Sequence, residues 1–216
     1  MSHVVLTNIM IGLPRLETLF LDGTIAMNDW TCPVNFDLPD PVPAVLPNTR
    51  KLDVRLRPRP TRGITYWPRA PAQACQLQYL RLENCKVRWW LDSLLAPSVP
   101  PLVELYIHFP QDQLRTQDIP EHLGRTLERF AFTDTTMPHD CLIPLLVASK
   151  QLQWLNLSRT LVDCDMFRSF LTPRHVGGTS VIAAVIVHGC QHLGVDVFAC
   201  VQGYVTLLEV EASGSP

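Results

Sequence analysis

Leucines and their substitutes recur along this chain in one short phrase. The clearest copy is Leu77-x-x-Leu80-x-Leu82, inside the stretch Cys75 to Cys85. Leu80 and Leu82 alternate with Tyr79, Arg81 and Glu83. Alternation of that kind predicts a strand with one buried and one outward face. Leu77 enters from the preceding turn, and Cys85 stands where the chain must bend away.

The phrase repeats. Leu16-x-x-Leu19-x-Leu21 comes first, then Leu52-x-Val54, the Leu77 copy and Leu102-x-x-Leu105-x-Ile107. Leu127-x-x-Phe130-x-Phe132, Leu152-x-x-Leu155-x-Leu157, Ile182-x-x-Val185-x-Val187 and Val205-x-x-Leu208-x-Val210 follow. The anchors 19, 52, 80, 105, 130, 155, 185 and 208 are spaced 33, 28, 25, 25, 25, 30 and 23 apart. Five residues after the anchors stand Thr24, Arg57, Cys85, Pro110, Thr135, Thr160, Cys190 and Ser213. Small polar side chains dominate this column, suited to satisfying loop backbone from inside.

These residues resemble the leucine-rich repeat, whose units stack because one strand cannot bury its own apolar face. The cysteine-bearing turn resembles the arrays of F-box proteins, particularly divergent fungal ones, although no F-box is visible. The resemblance implies an α/β solenoid, a horseshoe of about eight irregular repeats. It places a parallel sheet on the concave face, with helices and Pro-rich loops on the convex face. One domain is expected over residues 1–216, with strands near 18–22, 51–55, 79–83, 104–108, 129–133, 154–158, 184–188 and 207–211.

Between strands, Val87, Trp90, Leu91, Leu94 and Leu95 fall at helical spacing, as do Cys141, Leu142, Leu145 and Leu146. Met166, Phe167, Phe170 and Leu171 do the same, with Asp163 as N-cap. Residues 3–12 predict a helix ending at Gly12, the back half of a repeat without its strand. The chain is therefore expected to be a fragment lacking an N-terminal cap. Residues 25–50 and 55–74 predict connectors, the first broken by Pro33, Pro39, Pro41, Pro43 and Pro47. Residues 111–124 predict the least helical return, and 212–216 a frayed end.

Composition narrows the field. With 47% hydrophobic and 18% charged residues the chain is globular rather than disordered. A formal charge of −2 provides no global field for nucleic acid or an acidic membrane. Seven basic residues against Asp53 between Arg50 and Arg69, with Tyr66 and Trp67, read as a solvated loop. Seven cysteines in no compact framework point to reduced thiols and an intracellular protein, cytoplasmic or nuclear. Met1 to Asn8 lacks the basic flank of a secretory signal, and the apolar run Val181 to Val187 is too short to span a bilayer.

Candidate chemistry is sparse. His188-Gly-Cys190-Gln-His192 carries zinc-ligand types, but Cys190 falls in the inward column and His188 on the outward face. His139-Asp-Cys141 could supply half of a thiol nucleophile, yet Cys141 belongs to a helix core face. No phosphate-cradling glycine loop, Gly-x-Ser-x-Gly or His-Glu-x-x-His occurs. Catalytic, metal and cofactor-binding residues are therefore none, and a hydrolase is the third reading.

The outward strand positions carry the expected function. They are Tyr79, Arg81 and Glu83; Glu104, Tyr106 and His108; Arg129, Ala131 and Thr133; Trp154, Asn156 and Ser158, with Lys51, Asp53 and Arg55 flanking. Nine of them, Tyr79, Arg81, Glu83, Glu104, Tyr106, His108, Arg129, Trp154 and Asn156, are expected to bind a protein or peptide on the concave face. Tyr106 and Trp154 would anchor it, with Arg81 and Arg129 pairing with its acids. The F-box resemblance implies a non-catalytic substrate-recognition part of a ubiquitin ligase adaptor, meeting ligase components if an F-box lies upstream. The alternative is a structural or regulatory repeat scaffold unrelated to ubiquitin. Neither nucleic acid nor membrane is expected as a partner.

Overall fold

The computed structural model describes residues 13, 15–23, 48–56, 76–84, 102–108, 121–135, 142–178 and 181–210. The alternating copies form strands β1 (Thr18–Gly23), β2 (Lys51–Leu56), β3 (Tyr79–Glu83) and β4 (Glu104–His108), then β5 (Arg129–Thr133), β6 (Trp154–Asn156), β7 (Ile182–Ile186) and β8 (Val205–Glu209). All eight lie parallel in one continuous sheet, in chain order from β1 to β8. A 3₁₀ turn (Glu121–Thr126) precedes β5, α1 (Ile143–Ala148) precedes β6, α2 (Cys164–Val176) precedes β7 and α3 (Val197–Val201) precedes β8.

The register places the eight anchors in one row, Leu19, Leu52, Leu80, Leu105, Phe130, Leu155, Val185 and Leu208. From Leu52 to Val185 this row is fully buried. The returns explain why. Parallel crossovers are right-handed, and the described returns before β5, β6, β7 and β8 lie on the same side. That side is dry. The row two residues on, Val54, Leu82, Ile107, Phe132, Leu157 and Val187, is buried with it. So are Leu142, Leu145 and Leu146 around α1 and Met166, Phe167, Phe170 and Leu171 of α2. Asp163 caps α2, its Oδ1 accepting from Met166 N at 2.8 Å.

These findings correct the expected architecture. They support an α/β fold with one continuous parallel sheet and interspersed helices, not a curved leucine-rich-repeat horseshoe. The physical reason lies in what the leucine phrase specifies. A lead-in leucine followed by two alternating ones is what any half-buried parallel strand requires when its returns cover one face. It does not specify the geometry of the returns. Those described here differ from one another: a 3₁₀ turn, a six-residue helix, a thirteen-residue helix and a five-residue helix. The concave surface expected for a partner is corrected likewise, to the face of this sheet that no described element covers.

Smaller differences have local causes. β6 stops at Asn156 because that side chain accepts from Ser158 N at 2.9 Å, competing with the ladder. Thr49, where the other copies carry a lead-in apolar residue, is buried and donates to Leu16 O at 2.8 Å. Residues 121–126 form a 3₁₀ turn, and Gly124 is needed there. A Cβ would lie 2.7 Å from Leu145 O and from Ser149 Oγ. The expected helices at 3–12 and 86–97, the connectors 25–47 and 57–74, and the residues His139 and Cys141 lie outside the described residues. Thr24, Arg57, Cys85, Pro110 and Ser213 do as well.

Arg174 is a buried cation inside this apolar side, 4% exposed. Its guanidinium donates to Leu146 O at 3.4 Å, to Ser149 O, and to Leu152 O at 3.5 Å. These carbonyls belong to the end of α1 and the turn into β6, where a helix leaves acceptors without intrahelical partners. Arg174 thus ties α2 to the preceding return.

Two stability outcomes follow from this packing. Leu80→Ala should cost about 2–5 kcal/mol in urea unfolding, as a cavity in the fully buried row. Arg174→Leu should cost about 2–3 kcal/mol by the same measurement, because it strips a charged donor from buried carbonyls.

A polar site at the carboxyl ends of β4 to β7

The uncovered face of the sheet carries three rows. Lys51, Tyr79, Glu104, Arg129 and Trp154 form the first; Asp53, Arg81, Tyr106, Ala131 and Asn156 the second; Arg55, Glu83, His108 and Thr133 the third. The first two rows meet in an aromatic run. Tyr79 and Tyr106 lie 5.3 Å apart between ring centroids, and Tyr106 and Trp154 lie 6.0 Å apart. Tyr106 stands on β4 and Trp154 on β6, strands separated by roughly 9.6 Å at two strand spacings. The rings therefore lean together over β5, where the small side chain of Ala131 is covered to 1% exposure.

The charges on this face largely satisfy one another. Arg55 pairs with Asp53 at 2.9 Å, and Arg81 with Glu83 at 3.3 Å. The Tyr106 hydroxyl donates to Glu104 Oε2 at 2.6 Å. Burial first, and then the Glu104 carboxylate, push the Tyr106 pKa up to about 12, so the hydroxyl stays protonated. Lys51 Nζ sits 4.5 Å over the Tyr79 ring, a cation–π contact.

At the carboxyl ends of β4 to β7 the third row opens into a cavity of 320 Å³. His108, Thr133, Asp134, Asn156, Ser158, Arg159, His188 and Gly189 line it. β3, β5, β6 and β7 each leave the sheet through a residue of left-handed backbone four positions after the anchor. These are Asn84 (φ 57°) beyond β3, Asp134 (φ 62°) beyond β5, Arg159 (φ 55°) beyond β6 and Gly189 (φ 65°) beyond β7. Backbone bonds bind these turns into a ladder past the strand ends. Asp134 N donates to Ser158 O at 3.1 Å and Arg159 N to His188 O at 2.7 Å. Below them Thr160 Oγ1 and Cys190 Sγ both reach Leu157 O, at 2.6 and 3.2 Å.

Inside the cavity Arg159 forks onto Asp134, with Nη2 2.9 Å from Oδ2. His108 Nδ1 and Thr133 Oγ1 are 2.6 Å apart. His188 N donates to Ser158 Oγ at 3.2 Å. Burial, then the nearby Arg81 cation, lower the His108 pKa below its ordinary value, so the imidazole is neutral at neutral pH. The site therefore offers two imidazoles, that of His108 held neutral and that of His188 3.9 Å from Glu209 Oε2, with two hydroxyls, an amide and a carboxylate neutralised by its own guanidinium. Among the described residues no group of three or more His, Cys, Asp or Glu side chains is arranged to hold a metal ion.

Of the nine residues expected to face a partner, His108 and Asn156 line this cavity. Tyr79, Tyr106 and Trp154 form the aromatic run toward the amino ends of the strands, Arg81, Glu83 and Glu104 are engaged with neighbours on the same face, and Arg129 is exposed. Thr133, Asp134, Ser158, Arg159, His188 and Gly189 were missing from those nine, although Thr133 and Ser158 were read as outward positions. The column four after the anchor, with Gly23, Asn84, Asp134 and Gly189, carries the residue types that enter left-handed backbone, and marks the turn.

No family model matches this chain, and no curated protein or solved structure does either. Assignment to the leucine-rich-repeat family and its F-box arrays is thereby corrected, because the phrase that suggested it is a general demand of half-buried parallel strands. The ubiquitin-adaptor reading, the unrelated repeat scaffold and the ligase partners fall with it. Among the described residues no helix is long and apolar enough to cross a membrane.

The depressed His108 pKa sets a pH dependence. Folding favours the neutral ring, so its contribution to stability is present above the unfolded pKa, about 6.5. It is lost as pH falls through that value toward the lower folded pKa. His108→Asn should flatten the fall in urea-unfolding stability between pH 7 and pH 5 relative to wild type.

Proposed function

We propose that this chain is a non-catalytic, intracellular binding protein. Its ligand is a small, uncharged, hydroxyl-rich molecule of sugar size, seated at the carboxyl ends of β4 to β7. One observation carries the reading: polar side chains from four adjacent strand ends converge on one cavity, and its Asp134 and Arg159 charges are spent on each other. Open α/β sheets hold ligands beyond the carboxyl ends of their strands. A site with neutral imidazole, hydroxyl and amide groups favours a partner that both donates and accepts hydrogen bonds without bringing charge. The intracellular placement rests on an odd cysteine count and on the free thiols Cys164, Cys190 and Cys200.

The test is a panel of neutral monosaccharides (glucose, galactose, mannose, N-acetylglucosamine) and their common disaccharides. Binding would be read by melting temperature and by the imidazole NMR signals of His108 and His188. At least one should raise the melting temperature and move both signals, and Asn156→Ala should weaken that binding about tenfold through a lost hydrogen bond. A panel without effect at millimolar concentration, or binding unchanged in folded Asn156→Ala, would refute the proposal.

A further inference from the structure

The carboxylate and the guanidinium of the cavity are not equivalent partners. The Asp134 side chain is set into the wall, 9% exposed, whereas that of Arg159 is 67% exposed. Arg159 Nη2 lies 2.9 Å from Asp134 Oδ2, and its Nε reaches Oδ1. Asp134 has no other ion pair among the described residues. The acid is thus a fixed part of the site, and the arginine a cover laid over it from the next strand end.

The cover is itself held. Arg159 N donates to His188 O at 2.7 Å from left-handed backbone. Its stem passes close over Gly189, where a Cβ would lie 3.1 Å from Arg159 Cγ. A side chain at 189 would therefore crowd the stem.

We infer that this fork selects the ligand by charge. Arg159 makes the site turn away cations that Asp134 alone would bind, and Asp134 makes it turn away anions that Arg159 alone would bind. For its ligand the inference rests on the sugar reading above, whereas the charge balance needs no ligand. A charged sugar entering the site gives up hydration and meets no opposite charge left over, so the neutral one is favoured. Without Arg159 the carboxylate would stand among hydroxyls and an amide, an environment suited to an ammonium group. Without Asp134 the guanidinium would suit a carboxylate. Glu209, the acid 3.9 Å from His188, is exposed, so water screens it.

His108 reports the balance without any ligand. Burial, then Arg81, lower its pKa, Glu83 and Asp134 act against them, and Arg55 adds to the lowering. Arg55, Arg81 and Glu83 lie on β2 and β3, away from the fork.

The experiment uses Arg159→Asn and Asp134→Asn. Asparagine enters left-handed backbone readily, so both turns persist, and melting temperature checks the fold. An NMR titration of the His108 imidazole comes first. Its pKa should rise in Arg159→Asn, which uncovers the carboxylate, and fall in Asp134→Asn, which removes it. Binding is then titrated at pH 6.5 with glucose, protonated glucosamine and glucuronate, and with the corresponding galactose series. Wild type should favour the neutral sugar. Arg159→Asn should favour the ammonium sugar about tenfold, and Asp134→Asn the carboxylate sugar by a similar factor, the worth of a hydrogen bond to a charged group. A His108 pKa unmoved in both folded variants, or a sugar preference unchanged in both, would overturn selection by charge. So would a wild type that prefers a charged sugar. If the pKa moves as stated and none of the three proteins binds any sugar, the proposed function fails and the fork's control of the site's charge stands.

Discussion

Everything in this fold depends on keeping one face of a parallel sheet dry. The strands run in chain order, the described crossovers return on the same side, and no described element covers the other. The row from Leu52 to Val185 and the row from Val54 to Val187 meet that demand with no exposed member. Polar groups enter the dry side only where backbone requires them. Thr49 serves Leu16 O, Thr160 serves Leu157 O, and Arg174 serves carbonyls at the end of α1. Each adds a donor to a buried backbone carbonyl, which is where a buried polar group lowers the free energy instead of raising it.

The uncovered face solves a different problem. A water-facing sheet must hold side chains without inviting indiscriminate association. Here the charges are closed into short-range pairs, Arg55 with Asp53 and Arg81 with Glu83, and the Tyr106 hydroxyl is given to Glu104. Ala131 lets the Tyr106 and Trp154 rings shield each other across β5. Among the described residues the buried Arg81 Nε, in the middle of the face, has no hydrogen-bond partner, and the cavity opens at the strand ends, where the sheet stops supplying partners and the turns begin. That is why the cavity lies there and not in the middle of the face.

How much of this was legible in the sequence follows from what each signal encodes. Alternation at Leu80 and Leu82 encodes a buried face, and the common anchor row encodes register, so strand positions and the outward residues could be read directly. The apolar spacing of α2 and its Asp163 cap were equally readable. The family was not. The leucine phrase constrains each strand and leaves the returns free, so it suggested a horseshoe of repeats where the structure has one sheet with unlike returns. Arg174 was invisible because its partners, Leu146, Ser149 and Leu152, are backbone carbonyls, which no side-chain pattern records. The turn residues of the cavity were missed for a related reason. Asp134 and Arg159 lie one residue beyond the alternating strand positions, in turns where backbone conformation decides what a side chain can reach.

Those turns separate what the fold needs from what the cavity adds. Left-handed backbone recurs at Asn84, Asp134 and Gly189, residue types that adopt it at little cost, and Asn84 does so outside the cavity. The turn is therefore a property of the sheet edge. Arg159 is different, since a long side chain in this conformation costs about 1–2 kcal/mol relative to right-handed backbone. The conformation is held by the backbone bond to His188 O and by the fork onto Asp134. That fork carries the guanidinium back across the mouth of the cavity, over the carboxylate of the preceding strand end. The same contact that holds the turn cancels the charge of the site. Neutrality there is built from a strained position, while a glycine or asparagine at 159 would satisfy the turn and leave Asp134 negative.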